Sequence, residues 1–192
     1  RAIMINSPNN PSGAVYSEER LTGLAALLER KQAEHGTEIF IISDEPYRRI
    51  IFDGISFPQV LPQYDNSVVV TSHAKDLALP GERIGYIAVN PNYADKEELS
   101  AGLSFCNRTL GFVNAPALMQ HIVKNLQSVT VDVGEYQAKR DFLLSNADEN
   151  DSGSANAAGE DMKERPRIVR QRFASMSIQV SGHLSSVFRC RG

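Results

Sequence analysis

The chain has 192 residues, of which 42% are hydrophobic and 22% are charged, and its formal net charge is −3. This composition is typical of a soluble globular domain with a hydrophobic core, and the mildly acidic charge argues against nucleic acid as the main partner. No apolar run reaches the roughly 18 residues of a membrane span, so no membrane partner is expected. The two cysteines are too few for a disulfide framework and no signal-peptide pattern opens the sequence, which together predict the reducing cytoplasm.

The first part of the chain predicts a strand, a turn and a helix. Residues 2–5 form a short apolar run, which predicts a buried strand, and the segment NSPNNPSG at 6–13 is rich in turn-forming residues. Ser17 is a suitable N-cap for a helix whose leucines recur at helical spacing. Gly36 is a suitable stop for the same helix.

Three further apolar runs predict the remaining strands. They are EIFIIS, SVVVTS and IGYIAV, at residues 38–43, 67–72 and 84–89. Runs that are apolar throughout, rather than alternating, indicate strands covered on both faces of a sheet. With helical patterns between them, they predict an α/β fold with a mostly parallel sheet flanked by helices.

Helices are predicted after the last strand. One lies within residues 90–105, and the next is capped by Asn114. The apolar side of that second helix consists of Leu118, Met119, Ile122, Val123 and Leu126. A final helix is predicted from residue 132 to about 147, with Lys139 and Arg140 facing solvent.

The composition changes near residue 147. Residues 1–147 form the predicted domain, and residues 148–162 hold few large apolar side chains, which predicts a linker or a disordered stretch. Residues 163–192 form an atypical basic tail, with seven Lys or Arg against one acidic residue. No second domain is recognisable there.

Polar residues gather where the predicted strands end. In a parallel sheet the carboxyl ends of the strands lie along one edge, and ligands bind in the crevice beside it. The candidates that follow the strands, together with one arginine nearby in sequence, are Asn10, Asp44, Tyr47, Ser72, Lys75 and Arg83. A lysine, an acid, a phenol, an amide, a hydroxyl and an arginine match the needs of pyridoxal phosphate. No metal site is predicted.

Four segments in this order carry a family resemblance. The segments NSPNNPSG, SDEPY, SHAK and PGERIGY resemble those of the class I/II aminotransferases, the aspartate-aminotransferase-like group of fold-type I pyridoxal-phosphate enzymes. The resemblance covers roughly residues 1–145. It implies part of the large domain of that fold, and transamination between an amino acid and a 2-oxo acid in a homodimer.

The resemblance also implies roles for the candidate residues. Lys75 would be the Schiff-base lysine and the proton shuttle, and Asp44 would pair with the pyridinium nitrogen of the cofactor. Tyr47 and Asn10 would hydrogen-bond its phenolate oxygen. Asn6 and Asn9 are assigned instead to backbone groups of the turn.

Ser72 and Arg83 would hold the cofactor phosphate. Plainer alternatives stay open for four of the six candidates: Lys75 as a surface lysine, Asp44 as a helix cap, Tyr47 as a core aromatic and Arg83 as a surface ion-pair partner.

Three neighbouring residues are left outside the predicted site. Glu45 is expected to face solvent, His73 to be structural or solvated, and Cys106 to be a small buried side chain.

The sequence departs from the family pattern at both ends. The family's glycine- and serine-rich phosphate turn, its stacking aromatic residue and its small domain with the carboxylate-binding arginine are not recognised. Two alternatives therefore accompany transamination: a truncated, inactive remnant of such an enzyme, and a related pyridoxal-phosphate lyase or synthase. A nucleotide-binding domain is disfavoured, because no glycine-rich phosphate motif follows a strand.

Overall fold

The computed structural model describes the backbone of residues 1–151 and the side chains of residues 1–146. The predicted basic tail at 163–192 lies outside the described residues, as does the predicted linker beyond residue 151. Within the described part of the chain, no helix is long and apolar enough to cross a membrane.

Within residues 1–151, four strands form one sheet. They are β1 (Ala2–Asn6), β2 (Phe40–Asp44), β3 (Ser67–Ser72) and β4 (Gly85–Val89), and they lie side by side in that order. The first three strands are parallel, whereas β4 is antiparallel to β3. The α/β class and the mostly parallel sheet are therefore confirmed. The predicted burial of β1 and β4 is wrong: they are the two edge strands, and Met4 and Ile87 are 56% and 42% exposed.

Helix α1 (Glu18–His35) connects β1 to β2, and its ends are those that the sequence predicts. The Ser17 hydroxyl accepts a hydrogen bond from the Arg20 backbone N–H, which satisfies one free donor of the first turn. Gly36 ends the helix in the left-handed conformation, at φ 59°, where glycine carries no steric penalty. These two caps explain why the predicted boundaries hold.

The main core lies between α1 and the sheet. Leu21, Ala25 and Leu28 on one face of α1 are each 3–4% exposed, and they pack against Ile5 and Ile41 of the sheet. Burial of three side chains at helical spacing on two neighbouring strands stabilises the crossover that parallel pairing requires.

The antiparallel strand β4 depends on a glycine. Residue Gly85 is paired with Ser72, and a Cβ atom at Gly85 would lie only 2.4 Å from the Thr71 carbonyl oxygen. Between the two strands the chain reverses through α2 (His73–Asp76) and a 3₁₀ turn (Pro80–Glu82).

In the part of the chain that the structure describes, three helices follow the sheet: α3 (Lys96–Thr109), α4 (Ala117–Asn125) and α5 (Val133–Asp151). The cap predicted at Asn114 is wrong, because Pro116 occupies the N-cap position of α4. Only Met119 and Val123 of the predicted apolar side are buried, against Ile84.

Arg140 on α5 is buried, so the prediction that it faces solvent is wrong. Its side chain is 5% exposed, and its two terminal nitrogens each lie 2.7 Å from a carboxylate oxygen of Asp53. The guanidinium also lies 4.9 Å from the centre of the Phe52 ring. Lys139 does face solvent and pairs with Glu135 one helical turn away.

Candidate active site

The turn after β1 is organised around Asn6. The Asn6 side-chain amide donates to the Asp44 backbone oxygen at 3.0 Å and to Asp44 Oδ2 at 3.2 Å, while Asn6 Oδ1 accepts from the Asn10 backbone N–H at 2.7 Å. Asn9 Oδ1 accepts from the Ser12 backbone and hydroxyl, as expected of a turn residue. Asn6 therefore does more than the sequence predicts, because it links the first turn to the acid on the next strand.

Three of the predicted site residues meet through direct contacts. Asn10 Nδ2 donates to the Tyr47 hydroxyl at 3.4 Å, and Lys75 Nζ lies 5.8 Å from the centre of the Tyr47 ring. Asn10 follows β1, Tyr47 follows β2 and Lys75 follows β3, so each parallel strand delivers one of them to the same edge. Asp44 joins this group through Asn6.

Burial shifts the pKa values of Lys75, Asp44 and Tyr47 in the directions that favour their neutral forms. Partial burial lowers the pKa of the Lys75 ammonium, because desolvation disfavours its charged form. Burial likewise raises the pKa of the Asp44 carboxyl, and the hydrogen bond from Asn6 opposes that shift. The pKa of Tyr47 is raised chiefly by burial; the Asn10 hydrogen bond lowers it, and the nearby Asp44 charge raises it further.

Ser72 and Arg83 lie at the same edge by backbone register. Ser72 occupies the N-cap position of α2, where its side chain makes no capping hydrogen bond. Arg83 precedes β4, and because β4 runs antiparallel its beginning lies beside the end of β3. Arg83 is exposed, has a left-handed backbone at φ 51°, and donates from its guanidinium to the Pro80 carbonyl oxygen at 3.1 Å.

Glu45 is buried, so the expectation that it faces solvent is wrong. It is 2% exposed, and its carboxylate accepts a hydrogen bond from the Ser43 hydroxyl at 2.8 Å. Ile41 and Ser43 are also buried, so the period of two along β2 continues through Glu45 and leaves Asp44 on the other face. Since successive residues of a strand point to opposite faces, the assignment of Asp44 to the site was the available indication that Glu45 lies on the other face. Burial raises the pKa of the Glu45 carboxyl.

The other two neighbours differ in outcome. His73 is buried beside Asp76, which confirms its structural interpretation. Cys106 is exposed on α3, so its predicted burial is wrong. The helix that carries it buries no residue.

The comparison with known families agrees with this geometry. Residues 1–157 match the family described as aminotransferase class I and II. The chain belongs to this family. Enzymes of the family depend on pyridoxal phosphate in general, and the class of the fold is the one that the four segments predict.

Curated relatives of this aminotransferase chain carry related names. It is 30% identical over 154 residues to the probable aspartate aminotransferase of Methanocaldococcus jannaschii, which covers 74% of this chain and 37% of the relative. It is 38% identical over 86 residues to the aspartate/prephenate aminotransferase of Thermus thermophilus, covering 45% of this chain and 21% of that protein.

Solved structures show the same similarity. An amino transferase from Eubacterium rectale superposes with a TM-score of 0.74 at 50% identity, over 76% of this chain and 36% of that one. The aspartate aminotransferase of Thermotoga maritima superposes with a TM-score of 0.61 at 25% identity, over 78% and 37% of the two chains. The aminotransferase chain therefore spans well under half the length of these relatives.

The residues at the sheet edge suit the family's cofactor. Lys75 supplies a nucleophile, because burial favours the neutral form of its amine. The half-buried Asp44 carboxylate can pair with a protonated ring nitrogen. Tyr47 and Asn10, which are hydrogen-bonded to each other, supply two hydrogen-bond donors. The arginine at the same edge adds a fork of donors that matches a phosphate. The donor set fits pyridoxal phosphate.

Proposed function

We propose that this chain contributes the cofactor-binding lysine of a pyridoxal-phosphate enzyme that transfers an amino group between an amino acid and a 2-oxo acid. The observation that carries the proposal is the group formed by Asn10, Tyr47 and Lys75, delivered by three adjacent parallel strands. Membership of the aminotransferase family supports it independently.

Lys75 has two tasks in this proposal. When bound, pyridoxal phosphate supplies an aldehyde that a primary amine attacks and a protonated ring that withdraws electrons. Partial burial favours the neutral, nucleophilic form of the Lys75 amine, so Nζ attaches the cofactor at lower pH than an exposed lysine does. The same Nζ would also accept the proton of the substrate's α-carbon and return it.

Asp44 holds the proton of the cofactor ring. Its carboxylate is already oriented by the Asn6 amide at 3.2 Å, which fixes one oxygen and leaves the carboxylate able to accept a further hydrogen bond. Burial raises the pKa of Asp44, and a cationic ring nitrogen beside it favours the ionised carboxylate.

The remaining residues orient the cofactor. Tyr47 and Asn10 donate to the phenolate oxygen, and Ser72 and Arg83 bind the phosphate. The hydrogen bond between Asn10 and Tyr47 keeps the amide and the phenol adjacent, so both can point to one acceptor. Arg83 lies exposed at the open edge, where a phosphate can reach its guanidinium.

The setting of the reaction is also proposed. The names of the relatives include aspartate, and the amino donor is accordingly taken to be an amino acid. We infer a role in amino-acid metabolism and biosynthesis, a cytoplasmic location consistent with only two cysteines, and a homodimer as the working assembly.

The proposal is tested by titrating the purified chain with pyridoxal phosphate and following the visible absorbance of the lysine-bound cofactor. Borohydride reduction and peptide mapping then identify the labelled lysine. We expect the label on Lys75, loss of the band in Lys75→Ala, and no change in Lys124→Ala, whose lysine is exposed on α4. A band retained in Lys75→Ala, or label spread over several lysines, contradicts the proposal.

A coupled assay then addresses the reaction. Amino-acid and 2-oxo-acid pairs are supplied to the loaded chain, and both products are quantified. Equal amounts of new amino acid and new 2-oxo acid are expected of transamination. Release of ammonia or an eliminated group indicates the lyase alternative, and a loaded chain without turnover indicates the inactive remnant.

A further inference from the structure

The helical turn that carries Lys75 is too short to be stable alone. Helix α2 has four residues, and an isolated turn fixes several backbone dihedrals for very few hydrogen bonds. Its position is held from outside: the His73 backbone N–H donates to the Ile84 carbonyl oxygen at 3.0 Å. The orientation of Lys75 therefore depends on the residues that anchor this turn.

Asp76 is the anchor on the other side of Lys75. Its backbone carbonyl oxygen accepts two hydrogen bonds from the segment between α4 and α5, from the Thr130 hydroxyl at 3.1 Å and the Val131 N–H at 2.8 Å. Lys75 thus lies between two residues, His73 and Asp76, that are each fixed by distant parts of the chain.

The Asp76 side chain is buried and faces His73 and Arg49. His73 Nδ1 lies 3.2 Å and Arg49 Nη1 lies 3.9 Å from Asp76 Oδ2, and the side chains of His73 and Asp76 are each 7% exposed. Asp76 Oδ1 is buried and has no hydrogen-bond partner among the described residues.

Arg49 extends the same anchor. Its guanidinium donates to the Val129 carbonyl oxygen at 2.9 Å and also to the Gln127 carbonyl oxygen. The segment that holds the Asp76 backbone is therefore itself held by the arginine that faces the Asp76 side chain. This closed arrangement links the end of β2, the Lys75 turn and the segment after α4.

Stability alone does not account for such a carboxylate. A buried oxygen without a partner costs free energy, and an apolar residue of similar size would avoid that cost. Buried polar groups that keep such a cost call for a specific explanation. The position of Asp76, next to Lys75 in a turn with no stability of its own, supplies one.

We propose that Asp76, held by His73 and Arg49, is a positioning residue that fixes the direction in which Lys75 presents its amine. The inference rests on the proposed function, because it assumes that Lys75 is the residue that attaches the cofactor. It predicts that loss of the Asp76 side chain loosens α2 while the sheet and α1 stay folded.

The first test needs no cofactor. Amide hydrogen exchange of the full chain is compared between wild type, Asp76→Ala, Asp76→Asn and the control Asp95→Asn, an exposed aspartate whose side chain makes no capping bond. In Asp76→Ala we expect the amides of residues 77–79 to exchange at least about fivefold faster, which is the effect of losing one net hydrogen bond. Asp76→Asn keeps an acceptor for His73, so it should restore part of the protection.

The second test uses pyridoxal phosphate as the probe. Circular dichroism in the visible band reports whether the bound chromophore has one orientation, and the signal is divided by the amount of label trapped on Lys75. We expect Asp76→Ala to lose at least about half of this normalised signal while Asp95→Asn retains it. If Asp76→Ala does not fold, Asp76→Asn, which removes the charge that faces Arg49 but keeps the size of the side chain, is measured in the same way.

The outcomes separate the two proposals. If the wild-type chain takes no label on Lys75, the proposed function fails, and the exchange measurement still decides whether Asp76 anchors the turn. If the label is on Lys75 but Asp76→Ala matches Asp95→Asn in both measurements, the positioning role is overturned and the proposed function stands. Faster exchange without any loss of the normalised signal also overturns it, because Asp76 would then be structural only.

Discussion

Helices α1 and α3 differ in how many of their apolar side chains are buried. Helix α1 has 18 residues and buries Leu21, Ala25 and Leu28, whereas α3 has 14 residues and buries none, with Phe105 69% exposed. Helix α1 crosses between two parallel strands and packs on the sheet, while α3 follows the edge strand β4. The position of a helix relative to the sheet, more than its apolar content, therefore decides how much apolar surface it buries and how much it stabilises the fold.

The largest expected effect is the loss of a core side chain from α1. Leu28→Ala removes a side chain that is 3% exposed, and should lower the free energy of unfolding by about 2–5 kcal/mol. Leu27→Ala is the matched control, because Leu27 is 40% exposed on the same helix and should change stability by less than about 1 kcal/mol. Urea unfolding followed by far-ultraviolet circular dichroism measures both. Equal losses would show that the buried face of α1 contributes no more to stability than its exposed face does.

A glycine in the sheet and a glycine in α3 are expected to respond in opposite directions to substitution by alanine. Gly85→Ala places a Cβ against the Thr71 carbonyl oxygen and should destabilise the chain by about 1–3 kcal/mol, because β4 must shift away from β3. Gly102→Ala in α3 meets no atom within 4 Å and should stabilise it by about 0.4–1 kcal/mol. Thermal unfolding of both variants checks the opposite signs. A neutral Gly85→Ala would mean that the pairing of β3 with β4 is looser than described.

Of the two neighbouring basic residues on α5, only Arg140 is expected to contribute to stability. Arg140→Ala removes a buried guanidinium that binds both oxygens of Asp53, and should cost about 1–2 kcal/mol since Asp53 is itself half exposed. Lys139→Ala removes an exposed pair with Glu135 and should leave the free energy of unfolding nearly unchanged, because solvent screens such a pair. The same urea measurement compares them. If the two variants lose the same amount, Arg140 does not anchor α5.

The smallest expected effect is a pH dependence at the sheet edge. Burial raises the pKa of Asp44 above its ordinary value of 3.8 and that of Glu45 above 4.5, so the folded chain binds these protons more tightly than the unfolded chain does. The free energy of unfolding contributed by these groups therefore falls as the pH rises from those values through the folded-state pKa values. Asp44→Asn should reduce this fall in the cofactor-free chain, and Asp95→Asn should not. Unfolding curves across this pH range decide; an unchanged slope in Asp44→Asn would show that Asp44 is not penalised by burial.

Much of the fold could be predicted because its signals are local. The caps of α1 lie within a few residues of the helix ends they fix, and the strand at 67–72 has the predicted bounds. An apolar run carries no sign of its direction, however, so the antiparallel pairing of β4 was outside the reach of the pattern. That pairing depends on the short reversal through residues 73–84 and on the close approach at Gly85.

The candidate site shows the same division. The parallel strands bring Asn10, Tyr47 and Lys75 together as strand-end residues should. The double role of Asn6 and the burial of Arg140 depend on partners 38 and 87 residues away, which no local pattern encodes. Sequence order predicts the residues of the candidate site, and only the long-range contacts show which neighbours hold them.

The reversal between β3 and β4 also makes residues 73–84 an insert between two paired strands. Ser72 and Gly85, which flank it, are paired with each other at the base of a five-residue ladder. A protease nick inside this insert would leave both new chain ends tethered to the same sheet, one through Lys75 and its anchors, the other through Arg83. Two fragments separated here would each keep one strand of the β3–β4 pair, and this pairing favours their reassociation. The insert is therefore a suitable position at which to split the chain for fragment complementation.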